Sequence, residues 1–111
     1  MEAGGTTVTI KKMAAGRTEP GKTAWRVYDV QGSKGLVLDV DTSAAGFDTT
    51  PLYFTSLGGR IGHWATTGAT SIYSPTNKGF RIYVRWVNGN PLTPQYANER
   101  DWHINWYGIE S

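Results

Sequence analysis

Asp39 and Asp41 stand two residues apart in the run LVLDVD, with Asp48 in the loop that follows. On an extended strand this spacing puts both carboxylates on one face. Paired carboxylates can ligate Ca²⁺ or carry general acid–base chemistry. A calcium loop needs more oxygen ligands in a tighter arrangement, so the plainer reading is a solvated strand face answered by arginine. His63 and His103 are the only histidines and fall in separate segments without ligand spacing, so no metal site is expected from them. Residues 16–23, GRTEPGKT, satisfy the phosphate-loop pattern GxxxxGK[ST]. That loop works only between a strand and a helix, where backbone N–H groups converge on phosphate. Here KKMAA before it does not read as a strand, and AWRVYDV after it alternates with period two, so no nucleotide site is expected. Zero cysteines and no serine-centred elbow leave no nucleophile motif. Catalysis and cofactors are not expected.

The aromatic residues offer a different chemistry. Rings of Trp64, Trp86, Trp102 and Trp106 can stack on the apolar faces of sugars, while Arg, Asn and Asp side chains hydrogen-bond hydroxyls. Trp102 and Trp106 alternate with Ile104 and belong to the core phase of their strand. Trp86 is the last core-phase residue before a long loop and is placed to edge a site. Arg85 and Asn88 beside it supply polar contacts, and Asn90 and Tyr96 in the loop shape a rim.

These residues are carried by strands. Phe80, Ile82, Val84 and Trp86 recur at every second position, as do Trp102, Ile104 and Trp106. The opposite phases hold Arg81, Tyr83, Arg85 and His103, Asn105, Tyr107, a polar and aromatic mixture suited to recognition or subunit contacts. Further strands are expected in AWRVYDV, LVLDVD, PLYFTSL and ATSIY. SPTNKG closes a hairpin in which Asn77 and Gly79 can take positive φ. The connection VNGNPLTPQYANER is long and Pro-containing, as functional or mobile loops are. No amphipathic helix is legible. Regular short strands of this number indicate an all-β chain: a single antiparallel β-sandwich of about six to seven strands, spanning residues 23–111. Residues 1–22 hold Gly, Thr and Lys with one β-prone patch at 8–10, and read as a flexible or interface-forming arm.

Composition narrows the partners. The 111 residues make one domain, and 11 basic against 9 acidic residues give a net charge of only +2, far from the footprint of a nucleic-acid binder. No stretch is long and apolar enough for a membrane span, and the N-terminal residues lack a signal core, so the chain is either not exported by that route or a module of a larger one.

The segments TTPLYFTSL, SPTNKGF, VRWVNG and INWYGIE, in that order over residues 40–111, resemble the H-type lectin domain of the snail agglutinins and discoidin C-terminal domains. The resemblance implies a six-stranded antiparallel sandwich that assembles as a homotrimer, holds N-acetylgalactosamine or galactose near subunit interfaces, and works outside the cell or at its surface. The family's Trp-His-Asn sugar motif falls on Trp86, Val87 and Asn88, with valine in place of the histidine. The reading that results is a lectin-like module, weak at each site and strengthened by multivalency. The rival is a structural or adhesion module with no small ligand.

Overall fold

The computed structural model describes residues 5, 7, 9–30, 32 and 34–111. These residues form eight strands: β1 (Lys12–Arg17), β2 (Arg26–Tyr28), β3 (Gly35–Asp41), β4 (Leu52–Gly58), β5 (Thr66–Thr67), β6 (Tyr73–Thr76), β7 (Gly79–Trp86) and β8 (His103–Glu110). They pair into two antiparallel sheets. One has the order β1-β8-β4; the other runs β2-β3-β7-β5, with β6 also on β7. This is an all-β sandwich.

The core is where the alternating residues of the two sheets meet. Leu36, Leu38 and Val40 of β3 and Phe80, Ile82 and Val84 of β7 face Tyr53 and Ile104 of the smaller sheet, with Trp25, Phe47, Leu92 and Trp102 closing the ends. Ile82, Ile104 and Trp102 are fully buried. In β4 the inward face is that of Tyr53, while Leu52 and Phe54 are exposed. Tyr53 suits that position because its hydroxyl meets the Thr42 hydroxyl at 2.7 Å and donates to the Thr76 carbonyl at 2.7 Å, so a polar tip is satisfied inside an apolar layer.

The boundary at residue 23 moves. Lys12–Arg17 is not an arm but an edge strand, in register with β8 from Lys12↔Glu110 to Arg17↔Asn105. Its small residues hid it from pattern reading, and the structure explains them: a Cβ on Gly16 would lie 2.9 Å from the Trp106 ring. The small strand lets a large ring lie across it. Thr18 extends the pairing, donating its N–H to Ile104 and accepting from the Ile104 N–H. Of the patch at 8–10, Val8 lies outside the described residues, and Ile10 is exposed.

Three local expectations change. The hairpin between β6 and β7 turns at Asn77 and Lys78, but its positive φ falls at Ser74, where the pairing is irregular, and not at Asn77 or Gly79. The long β7–β8 connection contains a helix, α1 (Pro94–Glu99), begun by the Thr93 hydroxyl, which accepts from the Tyr96 N–H, with Pro94 at its first turn. The outward phases of β7 and β8 do not make one surface: they belong to different sheets, on opposite sides of the sandwich.

Candidate binding site

The outer face of the five-stranded sheet holds a groove of about 460 Å³. Register explains it. Tyr28 of β2 pairs with Gly35 of β3, and Arg85 of β7 pairs with Thr67 of β5. A Cβ on Gly35 would lie 2.7 Å from the Val84 carbonyl oxygen and 3.2 Å from the Arg85 Cβ. The row Tyr28, Gly35, Arg85, Thr67 therefore has a side-chain gap in its middle, flanked by a phenol on one side and a guanidinium on the other. In the next row Val37 lies between Arg26 and Tyr83 and is only 4% exposed although it faces outward. The sheet thus carries a second covered layer on its outside.

Three tyrosines build that layer. The Tyr83 ring lies 4.7 Å from Tyr28 at a 59° tilt and 4.9 Å from Tyr73, edge to face. Such contacts hold each ring in a fixed orientation. The far wall is the segment 67–71, where Gly68 takes φ +106° and a Cβ would lie 2.6 Å from the Tyr83 carbonyl oxygen. Ser71 donates its N–H to Gly68, and the Thr55 hydroxyl donates to the Ala69 carbonyl, tying this wall to the other sheet. A shallower depression continues along β7, lined by Asp39, Lys78 and Arg81 among others.

The polar groups of this face differ in their freedom. Asp39 accepts from Arg26 at 2.7 Å and from Arg81 at 2.6 and 3.0 Å. The hydrogen bonds from Arg81 hold its carboxyl below the usual carboxylate range. Asp41 accepts from the Ser43 N–H, and Asp48 pairs with Lys11 on the other side of the molecule. The three carboxylates singled out in the sequence are therefore each engaged by a different partner. Arg85 is exposed, and among the described residues no carboxylate pairs with it.

The five residues singled out for sugar contacts fall in three places. Trp86 and Tyr96 touch, with ring centroids 5.4 Å apart, but both also pack on buried Trp102, at 5.4 and 5.8 Å. The Arg100 guanidinium covers the Tyr96 ring at 3.4 Å. Trp86 is half-buried on the inner side of β7, so it offers an edge rather than an open face. Asn88 and Asn90 share a turn, with the Asn88 side chain accepting from the Asn90 N–H at 2.9 Å. Arg85 points to the other side of the sheet and lines the groove. Tyr28, Tyr73, Thr67 and Ser71 join it there. Sequence phase could place Tyr28 beside Arg26 on one face of β2, but not opposite Gly35 and Arg85. His63 packs edge-on to Trp102, and the Trp102 indole donates to the Ile61 carbonyl at 2.9 Å. In the phosphate-loop-like stretch, Thr23 is buried and exchanges two hydrogen bonds with Asn98, each at 3.0 Å. A short strand, β2, follows it.

Comparison with protein-family models, curated proteins and solved structures found no match. Among the described residues, no helix is long and apolar enough to cross a membrane.

Proposed function

We propose that this chain is a carbohydrate-binding module whose sugar-facing surface is the groove on the five-stranded sheet. The observation that carries the reading is the groove's chemistry: three mutually oriented tyrosines beside an arginine that no carboxylate pairs with among the described residues, with Ser71 and Thr67 on the wall. Pyranose rings present apolar C–H faces and hydroxyl rims together, and a site with aromatic surfaces and a few placed polar groups matches both. The groove is open and shallow, which suits weak binding at each site. The lectin-like resemblance at Trp86, Val87 and Asn88 argues for the same ligand class at a different position, between α1 and the β7 end.

The test is a glycan array with wild type, Tyr83→Ala and Tyr73→Ala set against Trp86→Ala and Asn88→Ala, each checked for folding by circular dichroism. Loss confined to the tyrosine variants places the sugar in the groove. Loss confined to the other pair moves it to the α1 end. A folded parent that binds no glycan ends the lectin reading.

A second reading draws on a separate surface. Met13, Leu52, Phe54 and Tyr107 are all exposed on the outer face of the three-stranded sheet, and the Phe54 and Tyr107 rings stack at 4.8 Å. Apolar stripes of this kind serve subunit contact. If copies meet there, as a homotrimer or otherwise, the grooves point away from the interface and remain available. Multivalent binding and a purely structural role both follow from such assembly, and the array separates them.

A further inference from the structure

The charges on the groove face are unbalanced in a way that selects among saccharides. Along the outer side of β2, β3 and β7 lie three guanidiniums, Arg26, Arg81 and Arg85, with Lys78 lining the depression beyond. Against them stand Asp39, which Arg26 and Arg81 share, and Asp41 at the far end, whose carboxylate is turned to the Ser43 N–H. One carboxylate thus answers two arginines, and Arg85 is left without an acidic partner among the described residues. A guanidinium presents a fork of donors that fits a carboxylate or sulfate with two parallel hydrogen bonds. Arg85 holds that fork at the wall of the groove, across the Gly35 gap from Tyr28. A ring lying in the groove against the tyrosines would direct one substituent toward it.

We propose that the groove prefers an acidic saccharide, one carrying a carboxylate or sulfate ester, with Arg85 as the group that recognises the anion. The proposal rests on the reading of the groove as the sugar site.

The experiment is calorimetric titration of the wild-type chain, in about 150 mM salt, with trigalacturonate, its carboxyl-reduced neutral counterpart galactotriose, and galactotriose sulfate. An exposed ion pair is worth up to about 1 kcal/mol, so the acidic sugars are expected to bind about three- to fivefold tighter than the neutral one. The stronger of the two acids identifies the anion. In Arg85→Gln the preference disappears and the three sugars bind alike, and Arg85→Lys keeps part of it. Tyr83→Ala weakens all three sugars together. Equal binding of acidic and neutral sugars, or a preference that survives Arg85→Gln, overturns the acidic selectivity and leaves the groove as a neutral-sugar site. No binding of any saccharide removes the sugar site itself. Tighter binding of an oligothymidylate than of trigalacturonate also overturns the proposal, since the face would then be reading a polyanion backbone.

Discussion

Asp39, Asp41, Asp48 and Glu110 all have carboxyl groups held below their ordinary range by the donors around them. For Asp39 the chief cause is Arg81, for Asp48 it is Lys11, and for Asp41 it is the hydroxyl and N–H of Ser43. Glu110 is buried at the end of β8, where one oxygen accepts from the Thr49 N–H at 2.6 Å and from the Thr49 hydroxyl at 3.1 Å. A carboxyl with a depressed folded pKa stabilises the fold in full above its unfolded value, and this contribution is lost as pH falls through the folded value. Unfolding free energy from denaturant titrations should therefore hold level from pH 7 to about 5 and decline below about 4, the ordinary carboxylate range. Glu110→Gln is expected to lower stability at pH 7 and to make the acid decline shallower. A variant as stable as the parent at pH 7 would show that Thr49 does not depend on this acceptor.

Two elements are shaped by what they lack. In the wall of the groove, Gly68→Ala brings a side chain into a backbone region that L residues avoid and sets its Cβ 2.6 Å from a carbonyl oxygen of β7. The expected loss is about 1–3 kcal/mol from the backbone strain alone, with weaker saccharide binding because segment 67–71 must move. A melting curve and an array on the same preparation check both, and unchanged values for each would mean the wall is not fixed by this residue. At the opposite edge, β1 is paired to β8 along its whole length and is extended by both hydrogen bonds between Thr18 and Ile104. A chain beginning at residue 11 keeps this pairing and should unfold at nearly the parent's temperature. A chain beginning at residue 18 strips the cover from the Trp106 ring and opens an edge of β8. It should lose cooperative unfolding or aggregate. If both truncations behave alike, β1 contributes nothing to the sandwich.

The two outer surfaces of the molecule differ in chemistry. One sheet presents tyrosines and guanidiniums, the other the apolar stripe of Met13, Leu52, Phe54 and Tyr107. Self-association through the stripe would hide apolar area, whose burial is worth roughly 25 cal/mol per Å² before the costs of association are counted. Light scattering across a concentration series should show an oligomer in the parent and a monomer in the double variant Leu52→Ser with Phe54→Ser, both on exposed positions. A parent that remains monomeric at high micromolar concentration removes avidity from the functional reading. An oligomer that survives the double variant moves the interface elsewhere, with Trp64, 87% exposed in the short turn that leads into β5, as the next surface to test.

The amino-acid order determined the all-β sandwich and the core phase of its longest strands, because a two-residue period commits alternate side chains to opposite faces wherever the apolar residues are large. Phe80, Ile82 and Val84 are buried for this reason, and so are Trp102 and Ile104. Where the signal residues are small or amphipathic the period is silent: β1 carries Ala and Gly beneath Trp106, and Tyr53 rather than Leu52 or Phe54 turns inward because its hydroxyl finds partners. The groove was beyond reach for a different reason. Alternation fixes the face of a residue within its own strand, but Tyr28, Gly35, Arg85 and Thr67 come from four strands spread between residues 28 and 85 of the chain. Only strand order and register bring that gap between a phenol and a guanidinium into one row.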